Sequence, residues 1–378
     1  MARHIFEDEH EMFRDSVRSF LQNEIQPHSD KWHEQGIVDR EAFEKAGEQG
    51  LLLMWADEKY GGAGVSDFRY EQILIEENAH YGDVGFFMTL HNRLVGPYIG
   101  ELGTKEQKQR WLPGCVSGKK VLAVAITEPG AGSDVAGMRT RAEDKGDHYL
   151  LNGSKTYISN GINADYVVVV ARTDQNSSHG LSLFVVERGM EGFERGRNLK
   201  KMGLKSQDTA ELFFNNVKVP KENLLGDLNR GFYHLMHFLA EERLLGAVGY
   251  LAHAEAAYNV TMDYITQRKA FGQLIGDFQN SRFKMADMRM NIDIAQAFVD
   301  QCVMEHNRGE LSADNAAKAK LFTSELEGQV VDDCVQLHGG AGYMDEYPIC
   351  RMYLNARISR IYAGSSEVMR EIIARSIG

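Results

Sequence analysis

Residues 283–302 read FKMADMRMNIDIAQAFVDQC, and their spacing decides the fold. Met285, Met288, Ile292, Ala295, Val299 and Cys302 recur at steps of three and four, the spacing of one helix face. Such a seam packs against other helices in a bundle. The chain around it stays helical, because all six prolines lie outside residues 221–347 and nothing there interrupts long helices. Residues 229–378 are therefore expected to form a C-terminal four-helix bundle domain.

Upstream the period changes. YVVVVAR (166–172), LSLFVVE (181–187) and AELFFNNVKVP (210–220) are short runs rich in β-branched and aromatic residues. HYLLNGSKTYISNG (148–161) holds two Asn-Gly pairs, each read as a tight turn. Residues 121–228 are expected to form a central β domain of barrel-like or sandwich type. Before residue 121 the pattern is helical again. EDEHEMFRDSVRSFLQNEI (7–25) places Met12 or Phe13, Val17, Phe20 and Ile25 on one side, with acids near its start. Breaks are expected at YGGAG (60–64) and at Gly96-Pro97. The class is α+β multidomain, with an N-terminal helical domain over 1–120.

With 43% apolar and 25% charged residues, the 378-residue chain can bury large cores. A net charge of −12 with no basic run argues against nucleic-acid binding. Cys115, Cys302, Cys334 and Cys350 are scattered and read as reduced core residues, with no metal site among them. The longest solid apolar run, VVVVA (167–171), is too short for membrane insertion. Acids from Glu7 onward and the lack of an apolar signal core lead us to expect no signal or transit peptide and a cytoplasmic protein.

Several segments carry candidate chemistry. ITEPGAGSDVAG (126–137) is a Gly-rich loop at the entrance to the β domain, where backbone N–H groups can approach an anionic or planar ligand. NGSKTYISNG (152–161) reads first as a hairpin, QRKAFG (267–272) as a solvated helix end, and VQLHGGAGY (335–343) as a helix stop. Together with IYAGSSEVMREIIAR (361–375), they stand in the order and spacing of the acyl-CoA dehydrogenase family, which the whole chain resembles. KMGLKSQDTAELFF (201–214), GFYHLM (231–236), EERLL (241–245) and CVQLHGGAGYMDEYPI (334–349) are most similar to its long-chain branch. The resemblance implies FAD, an acyl-CoA substrate, and α,β-dehydrogenation to the trans-2-enoyl-CoA in fatty-acid β-oxidation. It also implies a homotetramer, with electron transfer flavoprotein as electron acceptor.

Carried over by position, the resemblance places flavin contacts at Ile126, Thr127, Gly132 and Ser133, with Tyr157, Ile158 and Ser159 against the isoalloxazine ring. Arg268 would reach the pyrophosphate, with Phe271 and Gln279 nearby, often across a subunit boundary in the family. Gln336, Leu337, His338, Gly339 and Gly340 would take the adenine end, and Ser365 and Glu367 would complete the site. Ser133, Ser178, His179, Tyr233, Arg243, Ala363 and Gly364 match positions that line the acyl-CoA channel.

Ala363 stands where medium-chain and short-chain relatives carry the catalytic glutamate, and alanine has no basic group. The long-chain and isovaleryl relatives place the base on an earlier helix, at the position of Glu242. A helix projection agrees. At about 100° per residue from Glu242, Leu235, Gly246 and Leu239 fall at about +20°, +40° and +60°, and Phe238 and Leu245 at about −40° and −60°. Glu242 is thus centred in an apolar stripe, where burial raises a carboxyl pKa toward that of a working base. Glu241, at about −100° beside His234, is expected to be solvated. A citronellyl-CoA or isovaleryl type of dehydrogenase, or a flavin oxidase or monooxygenase on the same scaffold, would share these motifs. A nucleic-acid-associated relative would instead need a basic surface.

Overall fold

Glu7, Asp8, Glu9 and Glu11 crowd the head of the first helix, where unpaired backbone N–H groups favour negative charge. The computed structural model describes residues 3–378, so the first two residues of the expected N-terminal domain lie outside the described residues. The helix they open, α1 (Asp8–Phe20), buries Val17 and Phe20 and half-buries Phe13, while Met12 is exposed. Ile25 follows Phe20 by five residues yet faces the same core, because Leu21–Ile25 forms a π-helical turn. There follow α2 (Ser29–Gln35), α3 (Arg40–Glu48), α4 (Phe68–Tyr81), α5 (Gly96–Leu102) and α6 (Lys105–Val116). Gly61 and Gly64 take positive φ at the break expected near residue 60. Gly96-Pro97 is not a break. A π-helical stretch, Leu90–Val95, runs directly into α5, and Pro97 sits in its first turn, where no N–H is needed.

The middle of the chain forms β1 (Leu122–Ala125), β2 (Arg141–Asp144), β3 (His148–Ser159), β4 (Tyr166–Arg172), β5 (Leu181–Glu187), β6 (Phe193–Asn198), β7 (Thr209–Pro220) and β8 (Leu224–Leu225). They make one eight-stranded sheet in the order β6-β7-β3-β2-β4-β5-β8, with β1 parallel on β4. The sheet has two ends, at β6 and β8. Of the two expected Asn-Gly turns, Asn160-Gly161 follows β3, with Asn160 at φ 58°. Asn152-Gly153 lies inside β3 at a register shift against β7. A Cβ on Gly153 would stand 2.5 Å from Oγ1 of Thr140, so this glycine serves close approach of two chain segments.

The remaining chain forms α7 (Gly231–Ile265), a small hairpin of β9 (Lys269–Ala270) and β10 (Gln273–Leu274), α8 (Gln279–Asn307), α9 (Ala313–His338), α10 (Pro348–Ala356) and α11 (Ser366–Ile377). The long helices α7, α8 and α9 pack on one another, and α11 joins them as a shorter fourth member against α9. Every residue of the 285–302 seam is buried. Helix α7 connects two cores: Leu235 and Phe238 pack with the N-terminal helices, Leu244 and Val248 with the bundle. Glu242 lies between them.

Candidate active site

Parts of the chain far apart in sequence meet around Glu242. It shares a cavity of about 280 Å³ with Ile126 and Thr127 from the end of β1, Tyr157, Ile158 and Ser159 from β3, and Ala363 from the turn before α11. Residues from α4 and the π-helical stretch, among them Ile75 and Leu90, close another wall. Tyr157 and Ala363 both hold positive φ, 58° and 53°, although neither is glycine. Such conformations cost energy and concentrate at sites where the surroundings hold them in place.

Glu242 is buried on the α7 wall of this cavity, as the helix projection required. The Tyr98 hydroxyl donates to its Oε1 at 3.0 Å. Burial pushes the Glu242 pKa up to about 7, against the opposing pull of Tyr98 and of the Arg243 charge. Tyr98 is pushed well above its ordinary range, first by burial and then by the Glu242 charge, so it remains a donor.

Glu241 corrects the sequence reading. It is not solvated: it lies 3.6 Å from Nη1 of Arg93 and 3.3 Å from Nε2 of His306. The ion pair with an arginine belongs to Glu241, because α7 turns that side toward α8 and the Arg93 stretch. Burial holds His306 at about 4, so Arg93 is the charged partner.

A second cavity, of about 570 Å³, gathers Arg268 with Gln336, Leu337, His338, Gly339 and Gly340. Helix α9 ends there, and Gly339 turns the chain at φ 61°. Among the described residues, none lines both cavities. Phe271 is exposed on the small hairpin and Gln279 opens α8, both outside these walls. Gly132 and Ser133 are exposed in the Gly-rich loop. Ser365 caps α11 and accepts from the Val368 N–H, with Glu367 exposed in its first turn. The Gly364 carbonyl accepts from Lys320 at 2.7 Å. The His179 ring lies tilted 4.3 Å from Phe232 and 6.3 Å from Tyr233, beside exposed Ser178. Arg243 is buried, and its Nε has no hydrogen-bond partner among the described residues.

Sequence reasoning missed Tyr98, which lies 144 residues from its partner, and the Lys155–Glu128 pair at 2.8 Å. That buried pair ties the Gly-rich loop to β3, and Lys155 also donates to the Ile126 carbonyl. Neither relation leaves a local sequence signal. Tyr250, His253, Glu327 and Tyr362, all on the first cavity, were also missed, although α7 spacing could have found Tyr250 and His253.

Residues 7–119, 123–217 and 229–378 match the models described as acyl-CoA dehydrogenase N-terminal, middle and C-terminal domains. The chain belongs to the acyl-CoA dehydrogenase family. Long-chain specific acyl-CoA dehydrogenase, mitochondrial, of Mus musculus is 47% identical over 378 residues, 99% of this chain and 88% of the mouse protein. An acyl-CoA dehydrogenase from Geobacillus kaustophilus has the same fold at TM-score 0.98 and 46% identity, over 100% of both chains. One from Bacillus anthracis, solved with FAD, matches at TM-score 0.93 and 32% identity, over 100% of this chain and 69% of that one. Like its relatives, this acyl-CoA dehydrogenase family member is an oxidoreductase of CH–CH groups, and FAD is the family's cofactor. Its residues fit that group. The exposed Tyr157 ring and the Thr127 to Ser159 backbone offer stacking and hydrogen bonds at the first cavity, and Arg268 brings a cation to the glycine turn of the second. No helix among the described residues is long and apolar enough to cross a membrane.

Proposed function

We propose that the protein dehydrogenates medium- to long-chain or branched acyl-CoA thioesters, with Glu242 removing the α-proton. One observation carries this reading: a buried carboxylate with a pKa near 7 shares a cavity with the flavin-matching residues Tyr157, Ile158 and Ser159 and with Ala363. A base poised near neutrality is ionised often enough to act and basic enough to take a proton. FAD, when bound, supplies the acceptor for the β-hydride. Thr127, Ser159 and Tyr157 would hold its ring at the first cavity. Arg268 and the Gln336–Gly340 turn would hold its phosphate and adenine end. The backbone N–H of Ala363 donates to the thioester oxygen as negative charge develops there.

Small residues define the space for the acyl group. Ala363, Gly246 and Gly249 line the cavity without bulk, which suits a branched or long chain. Two cavities that share no residue support a cofactor bound between subunits. Apolar Phe283, Met290 and Ile294, exposed along α8 at steps of seven and four, support a homotetramer buried along that face. Electron transfer flavoprotein then takes the electrons onward, as the resemblance implies.

The test is an anaerobic acyl-CoA series followed by flavin bleaching, with turnover read through an artificial electron acceptor. Medium to long straight or branched thioesters should bleach and turn over. Activity confined to butyryl-CoA would overturn the substrate reading, and rapid peroxide formation in air would move the protein to the oxidases.

A further inference from the structure

The first cavity holds a buried pair that proton abstraction does not use. His253 on α7 meets Glu327 on α9, Nδ1 to Oε1 at 2.5 Å, and both residues line the cavity. Glu327 is 3% exposed, and its other oxygen, Oε2, has no hydrogen-bond partner among the described residues. Among the described residues the His253 Nε2 makes no hydrogen bond either. An unpaired carboxylate oxygen in a buried wall is costly, and it becomes more so when hydrocarbon replaces water beside it.

The pair has a defined place along the acyl path. Glu242, Leu245, Gly246, Gly249, Tyr250 and His253 all line the cavity, at the three- and four-residue spacing of a single face of α7. The eleven residues from Glu242 to His253 span roughly 16 Å at about 1.5 Å per residue. A chain whose α-carbon lies at Glu242 reaches the pair after roughly thirteen carbon–carbon bonds, because each bond of an extended zigzag chain advances only about 1.25 Å. Tyr250, one turn from His253 on α7, stacks at 6.0 Å on Tyr362, and both line the cavity. This end of the cavity is therefore built for a polar atom.

We propose that His253 and Glu327 recognise a hydroxyl on the distal part of the acyl chain, so that the preferred substrates are hydroxylated acyl-CoA thioesters. A hydroxyl both donates and accepts, so it can give its proton to Oε2 of Glu327 and take one from Nε2–H of a protonated His253. With His253 neutral it still donates, to either acceptor. A cationic group would lack the acceptor, and a carboxylate would meet Glu327 as a like charge. A site that hydrogen-bonds a substrate hydroxyl discriminates against the analogue without it. The inference rests on the dehydrogenase reading above and adds to it the chemistry of the chain end.

The experiment compares two acyl-CoAs of equal length, one plain and one with a hydroxyl about thirteen to fifteen carbons from the thioester, by kcat/KM. Wild-type holoenzyme and the Glu327→Gln and His253→Leu variants are assayed after their FAD content is confirmed. The hydroxylated substrate should be favoured by about tenfold or more in the wild type, and that ratio should fall by about tenfold in the variants. A ratio that either variant leaves unchanged overturns the assignment. If neither variant holds FAD, the wild-type ratio decides, and a value of one or less across hydroxyl positions overturns it. Failure of both substrates in the wild type would instead contradict the dehydrogenase reading.

Discussion

The hydroxyl of Tyr98, on α5, donates a 3.0 Å hydrogen bond to Oε1 of Glu242, on α7, where both side chains are buried. The bond favours the ionised carboxylate and so moderates the upward shift that burial imposes. Tyr98→Phe removes that support and leaves the base in place. The rising limb of the kcat/KM–pH profile should move to higher pH by on the order of half to one unit, the worth of one ordinary hydrogen bond. Activity should fall several-fold below the plateau and recover above it. A lowered plateau with an unshifted limb would show that Tyr98 acts through packing alone.

The raised pKa of Glu242 also sets a sign for stability. Between about 4.5, its ordinary value, and about 7, the unfolded chain has released this proton while the folded protein still holds it. Folding stability from this group is therefore lost as pH rises across that window, and the loss is complete above it. Glu71 is shifted up to about 7 by burial in the same way, and its contribution cancels when two proteins that both keep it are compared. Glu242→Gln should melt higher than wild type at pH 8 and match it near pH 4.5. A Gln variant less stable than wild type at pH 8 would contradict the burial cost assigned to Glu242.

Adjacent carboxylates should separate cleanly by function. Glu242→Gln keeps shape and loses the base, so turnover should drop by on the order of 10²–10⁴-fold while FAD remains bound. Glu241→Gln breaks the contact with Arg93 at 3.6 Å instead. Burial also raises the Glu241 pKa against the pull of Arg93, so the variant should stay folded, with kcat within about threefold of wild type. Loss of turnover in Glu241→Gln with Glu242→Gln still active would exchange the two roles.

Purified protein should be yellow, carrying about one FAD per chain, and Arg268→Ala should weaken retention by roughly 10- to 100-fold through loss of a charge-assisted contact. Flavin absorbance after gel filtration across a dilution series reads this directly. Unchanged retention in the variant would remove Arg268 from the cofactor site.

What the sequence made legible was periodic or local. The 285–302 seam and the centring of Glu242 on an apolar stripe follow from the repeat of 3.6, and the strand runs from their β-branched and aromatic content; the seam, Glu242 and the interiors of β4 and β5 are all buried. Legibility failed where one residue's role depends on a segment far along the chain. Asn152-Gly153 looks like a turn until Thr140 is seen to press against it. Glu241 looks solvated until Arg93 and His306 close over it. Gly96-Pro97 looks like a break because a π-helical approach into a helix start has no common sequence signature. Tyr98 and Glu327 are invisible for the same reason, since their partners lie 144 and 74 residues away.

Moving the base gives the sharpest measurement. The double variant Glu242→Gly with Ala363→Glu returns the carboxylate to the turn before α11, on the same cavity. Ala363 already holds φ 53° with a Cβ, so glutamate there brings little new backbone strain. We would measure kcat/KM for wild type, both single variants and the double variant, with one straight and one branched acyl-CoA, after confirming FAD content. Glu242→Gly should be nearly inactive. The double variant should recover part of the loss, to roughly one hundredth of wild type or better if the carboxylate sits within about 1 Å of a productive position. Recovery should favour the straight chain, because the longer side chain at 363 takes space beside the substrate. A double variant that holds FAD and substrate yet does no better than Glu242→Gly on either thioester would contradict Glu242 as the base that serves this cavity.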